Sequence, residues 1–122
     1  MKGNRTSGER PATTKRKEEL LVQISAYVDE HLEEQITLQR VSEHFRVSVS
    51  TVTQLFQRRA NTSFHKYLTD RRMAAAAKLI QRGISLEEVG KSLGYTDHSS
   101  FYRAFRKYYG MAPRDFKSSR EE

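Results

Sequence analysis

The stretch SLEEVGKSLGYTDHSSFYRAFRKYYGMAP, residues 85–113, decides the fold. Ser85 and Glu88 make an S-x-x-E capping box, and Ile84 before it can staple onto Val89, so a helix starts here. Gly94 interrupts the pattern. Asp97, or Thr96 beside it, then caps a second helix whose buried stripe is Phe101, Phe105 and Tyr108. Gly110 suits the left-handed position that ends this helix, and Pro113 opens a last short helix containing Phe116.

The same pattern occurs about fifty residues earlier in the chain. Thr37-Leu38-x-x-Val41-Ser42-x-x-Phe45 matches Ser85-Leu86-x-x-Val89-Gly90-x-x-Leu93 at an offset of 48. Ser48-x-x-x-Val52-x-x-x-Phe56 matches Asp97-x-x-x-Phe101-x-x-x-Phe105 at 49, so the second turn is one residue longer. Asn61 matches Gly110, and these are the residue types that most readily adopt the left-handed conformation. Small residues, Ser42 and Gly90, hold matched positions, as a close crossing between the paired helices requires. A short helix, a tight turn and a second helix describe a helix-turn-helix, and this chain carries two in register.

Outward from the repeat, a helix from about Ser63 runs through Phe64, Tyr67, Leu68 and the alanines 74–77 to Leu79 and Ile80, with Gly83 as its stop. Ahead of the repeat, Leu20, Ile24, Val28 and Leu32 recur every four residues, widened by Leu21 and Tyr27, which predicts an amphipathic helix over 17–32. No useful length alternates with period two. The expectation is an all-α chain of about seven helices: a disordered basic arm over 1–17, a first helix-turn-helix unit over 18–62, a linker helix over 63–82 and a second unit over 83–119.

Charge is unevenly spread over the 122 residues, whose formal net charge is +7. The arm holds Lys2, Arg5, Arg10, Lys15, Arg16 and Lys17 against Glu9. Residues 18–45 reverse the sign, with Glu18, Glu19, Asp29, Glu30, Glu33, Glu34 and Glu43 facing Arg40 alone. The remainder is strongly basic. Such a balance points to nucleic acid, with the arm adding affinity for any sequence rather than selecting one. Zero cysteine excludes disulfides, thiolate nucleophiles and cysteine-ligated metals. No run approaches the roughly 18 apolar residues that span a bilayer, and no signal peptide is evident, so the expected location is the cytoplasm, on the nucleoid.

At 100° per residue, the third helix turns Ser50, Thr53, Gln54, Gln57 and Arg58 away from its buried Val52, Leu55 and Phe56. The sixth turns out Ser99, Tyr102, Arg103, Arg106 and Lys107. These faces carry the groups that read DNA: glutamine pairs with adenine, arginine with guanine, and hydroxyls and lysines hold phosphates.

Residues 24–117 resemble the DNA-binding domain of the AraC/XylS family of bacterial transcription regulators. The resemblance is most specific over Gly94-Tyr95-x-Asp97-x-Ser99-Ser100-Phe101-x-Arg103-x-Phe105-Arg106-Lys107-x-x-Gly110-x-x-Pro113, and Arg72-Met73 with Ala76, Leu79 and Ile80 is similar to the family's central helix. It implies a monomer that places two recognition helices in successive major grooves of double-stranded DNA and bends it. By position, Ser50, Thr51, Thr53 and Gln54 would read the first groove, and His98, Ser99, Tyr102 and Arg103 the second. Ser48, Arg58, Arg106 and Lys107 would touch phosphates. The chain departs from the family at Arg46, where a small turn residue is usual, at Asn61 in place of glycine, and at Gly90 in place of alanine. Its length matches short stand-alone members without a ligand domain.

Catalysis finds no support: His31, His44, His65 and His98 are never paired at i, i+4, and Glu33–Glu34 and Glu87–Glu88 read as solvated faces or caps. No catalytic residue, metal or cofactor is expected. The alternative is a helical adaptor domain whose basic surface binds an acidic protein. Within the DNA-binding reading, Glu30, Glu33 and Glu34 on the outer face of the first helix could meet RNA polymerase, making the protein an activator.

Overall fold

The computed structural model describes the backbone of residues 2–121 and the side chains of residues 15–118. Every regular element among them is a helix: α1 Lys2–Glu30, α2 Leu38–Phe45, α3 Val49–Arg59, α4 Phe64–Gln81, α5 Leu86–Ser92, α6 His98–Tyr109 and α7 Pro113–Glu121. The caps follow the sequence. Thr37, Ser48, Ser85 and Asp97 are N-caps in extended conformation, each accepting a hydrogen bond from the backbone N–H three residues on. Between the two candidates for the sixth helix, Asp97 is the cap.

The chain divides into two compact units. The first contains α1, α2, α3 and Phe64. Ile24, Val28, Ile36, Val41, Val52, Leu55, Phe56 and Phe64 are buried in it. The Phe56 and Phe64 rings meet edge-on at 5.5 Å. Tyr27 is packed by His44 and Phe45, and its hydroxyl accepts a 3.0 Å hydrogen bond from Arg40 Nε. These contacts tie α1 to α2, and α1 also packs on α3.

The second unit is built on residues 31–35 and 65–122. Met73, Ala76 and Ile80 of α4 are buried with Val89 and Leu93 of α5 and Phe101 and Phe105 of α6. The central helix is therefore an integral wall of this core. Residues 31–35 are clipped to the same unit by long side chains. Arg72 donates from Nη2 to Glu34 O at 2.7 Å and from Nε to Leu32 O at 3.3 Å, while Gln35 Nε2 donates to Gly94 O at 2.6 Å. Gly94 (φ +84°) is required twice over: its conformation is left-handed, and a Cβ would lie 3.1 Å from Glu33 O.

The expected basic arm over 1–17 falls in the N-terminal part of α1, and its side chains before Lys15 lie outside the described residues. Three expectations are corrected. Leu32 is not in the first helix, which ends at Glu30, and instead packs against the core of the second unit. Glu33 and Glu34 leave α1 with it, so they do not share an outer helix face with Glu30. Tyr108 is 41% exposed, and its neighbour Tyr109 does the packing, against Phe105 at 4.6 Å, with its hydroxyl donating to Met73 O at 2.9 Å.

The need for a small residue at the helix crossing is borne out at Gly90, where a Cβ would meet Phe101 at 3.3 Å. Ser42, its counterpart, is buried and turns its hydroxyl back onto Gln39 O at 2.8 Å. Gly90→Ala is expected to be near neutral, since gained helix propensity of roughly 0.5–1 kcal/mol offsets the tight methyl contact. Gly90→Val places two further methyl branches against a buried ring and is expected to cost about 1–3 kcal/mol. Urea unfolding of the three proteins checks the order.

Candidate nucleic-acid interface

Both turns are held by left-handed residues. Arg46 (φ 58°) ends α2 and sends its N–H back to Glu43 O, while Gly94 does the same work after α5. An arginine can occupy such a position at a cost of order 1 kcal/mol, so the departure at Arg46 leaves the turn intact. Asn61 (φ 54°) likewise keeps the conformation that a glycine would have taken after α3.

In the first unit, Ser50, Thr51, Gln54 and Arg58 are exposed and Thr53 is half-buried. Gln54 Nε2 donates to Ser50 Oγ at 3.3 Å, so the two side chains are already coupled one turn apart. Ser48 Oγ accepts from Thr51 N at 3.0 Å and lies 2.8 Å from Thr51 Oγ1. Its oxygen is thus committed to the cap, although a hydroxyl hydrogen remains to be shared between the two. Thr51, Gln54 and Arg58 line one wall of a cleft of about 340 Å³, and the opposite wall comes from α1 through Lys17 and Leu20. Lys17 and the neighbouring Arg59 were not expected at the site. Arg59 lies beside Arg58 at the end of α3, whereas only the packing of α1 on α3 brings Lys17 there, and no local pattern announces that pairing.

In the second unit, Tyr102, Arg103, Arg106 and Lys107 share one open groove that ends at Gly110. His98 stands apart from that groove, in a depression over the turn with Lys91, Thr96 and Asp97. Its ring lies 6.2 Å from that of Tyr102, and Ser99 beside it is exposed. Five of the six expected second-unit residues are thus exposed, and Tyr102 is half-buried.

Asp97 fixes the orientation of α6. Its Oδ1 accepts from Ser100 N at 2.7 Å and its Oδ2 from Ser100 Oγ at 3.2 Å. The backbone bond from Ser100, then the Ser100 hydroxyl, then the charge of Arg103 hold the carboxyl below its ordinary pKa. A depressed folded-state pKa means that the contribution is complete above the ordinary carboxylate value and fades as pH falls through the folded value. Asp97→Asn is expected to keep a cap but lose that acid sensitivity. Melting temperatures from pH 6 to 2.5 check it: the two curves should converge at the acid end, and parallel curves would remove the assignment.

The helix-turn-helix domain family matches residues 41–119. A probable transcriptional regulator, LumQ of Photobacterium leiognathi, is 32% identical over 94 residues, covering 76% of this chain and 38% of LumQ. The chain spans less than two-fifths of the length of the curated relatives it matches first. Among solved structures, the C-terminal domain of AraT, a response regulator from Geobacillus stearothermophilus, superposes with a TM-score of 0.79 at 25% identity, covering 82% of this chain and 84% of that one. A DNA-binding transcriptional dual regulator from Escherichia coli K-12 gives 0.74 at 29% identity, with coverage of 84% and 92%.

Proposed function

Because this chain belongs to the AraC/XylS-type helix-turn-helix family of transcription regulators, we propose that it binds double-stranded DNA sequence-specifically, as a monomer, through α3 and α6. Each of these helices enters a major groove, and the two grooves are successive, roughly 34 Å apart along the duplex. It works by binding, without catalysis. The observation that carries this reading is the pair of exposed faces on the second helix of each repeat, one polar and one basic.

The two faces do different work. Ser50, Thr51, Thr53 and Gln54 offer hydrogen bonds and methyl contacts to base edges with no charge among them, and Ser48 and Arg58 hold the backbone. His98, Ser99, Tyr102 and Arg103 read the other groove, with Arg106 and Lys107 on phosphates. The second unit therefore supplies more of the electrostatic attraction and the first more of the uncharged readout. As an activator, the protein would meet RNA polymerase through exposed acids of α1 such as Glu19 and Glu30. Charge reversal at those two positions is expected to reduce transcription in vitro while leaving DNA binding intact.

Selection of bound duplexes from a random pool, followed by footprinting, tests the central reading. The expected result is one asymmetric site with two protected major grooves about one helical turn apart. A single protected groove would overturn the two-helix reading. Salt-sensitive retention with no enriched sequence would overturn specific binding altogether.

A further inference from the structure

We infer that the cleft between α1 and α3 is a phosphate seat, in which Lys17 joins Arg58 and Arg59 to hold a DNA backbone phosphate at the edge of the groove that α3 reads. The inference rests on the DNA-binding reading above and adds to it a contact from α1, outside both helix-turn-helix motifs.

Thr51, Gln54 and Arg58 fall at i, i+3 and i+7 on α3 and line one wall of the cleft, with Lys17 and Leu20 of α1 opposite. The cleft therefore opens on the base-reading face itself. A major groove is about 12 Å wide, and a helix with its side chains is about 10–12 Å across, so a seated helix has phosphates directly at its flanks. An element packed on that flank, with a cation at the rim, must meet the sugar–phosphate backbone. α1 is such an element in the first unit.

The chemistry suits a phosphate oxygen. Lys17 is a point charge on a flexible stem, while Arg58 and Arg59 offer planar forks, and Leu20 and Leu55 supply the apolar part of the lining between them. Glu18 tempers the site: its carboxylate lies 3.7 Å from Arg59 Nη1 and remains largely exposed. Lys17 and Glu18 therefore act on the seat with opposite sign. Removing Lys17 should weaken DNA binding, and removing the Glu18 charge should strengthen it.

The test uses the full chain and a duplex carrying its selected site, titrated at several salt concentrations. Lys17→Ala is expected to weaken binding about 3–10-fold for every sequence alike, with base preferences unchanged and the log–log salt slope shallower by about 0.9. Glu18→Gln is expected to tighten binding about 2–3-fold. Neutral methylphosphonates placed one at a time along the flank should reveal one phosphate whose neutralisation costs the unmodified protein at least as much as Lys17→Ala does, and costs Lys17→Ala measurably less, the remainder being the contacts of Arg58 and Arg59; equal costs in the two proteins at every position would overturn the seat. Inorganic phosphate at 1 mM should leave the Lys17 and Arg58 amide resonances in place, since the seat is completed by the duplex; saturable shifts would assign it to a free anion and overturn the inference. An unchanged slope in Lys17→Ala, with the selected site still bound, overturns the seat and leaves the DNA reading standing. Failure of the unmodified protein to select any site overturns both.

Discussion

Phe105→Ala is expected to remove about 3–5 kcal/mol of stability, the range for emptying a buried aromatic site that cannot collapse. Phe105 is fully buried, with its ring 5.8 Å from Phe101, 4.6 Å from Tyr109 and 5.4 Å from Phe116. It therefore joins α6 to α7, and through the Met73–Ala76–Ile80 wall of the same core to α4. Whole domains are stable by only about 5–15 kcal/mol, so this loss would consume much of what holds the second unit. Phe105→Leu keeps most of the volume and should cost considerably less. Urea midpoints followed by circular dichroism check the order. Amide exchange should show protection falling first across α5, α6 and α7, with α2 and α3 retaining theirs longer. Uniform loss of protection would mean that the two units unfold as one.

The second unit was largely legible in the sequence. Ser85, Asp97, Gly83, Gly94 and Gly110 mark ends that obey local rules, and each behaves in the structure as its type requires. Periodicity found Phe101 and Phe105 but put Tyr108 where Tyr109 belongs, since a stripe read at 100° per residue does not say which edge of it meets a neighbour. What stayed illegible was tertiary. Leu32 continues the spacing of Leu20, Ile24 and Val28, yet belongs to another core. The reason lies in Arg72 and Gln35, forty and fifty-nine residues from their acceptors, whose hydrogen bonds draw 31–35 onto the second unit. The same limit hid Lys17. Its sequence neighbours suggested an unstructured charge reservoir, and only the packing of α1 on α3 makes it part of a cleft. The exposed faces of α3 and α6, by contrast, followed from finding the core, because whatever a short amphipathic helix does not bury it must present.

Arg103→Ala is expected to cost about 1–3 kcal/mol of affinity for the selected site, a loss of roughly 5- to 150-fold, and to relax preference at one base pair. Arg103 is exposed in the middle of α6 and shares its groove with Tyr102, Arg106 and Lys107. Position decides its role among these cations. The N-terminal part of a recognition helix approaches the base edges, and in the proposed docking Arg106 and Lys107, in the last turn of α6, would lie where the helix leaves the groove beside the backbone. A guanidinium can present two parallel donors to guanine O6 and N7, a match that a lysine cannot reproduce. Arg103→Lys should therefore keep the salt slope and lose discrimination, while Arg106→Ala should lower the slope and keep discrimination. Dissociation constants over a panel of single-base variants of the site, at two salt concentrations, separate the cases. A uniform loss across the panel for Arg103→Ala would make it another phosphate contact, and the reading of the second groove would then pass to His98, Ser99 and Tyr102.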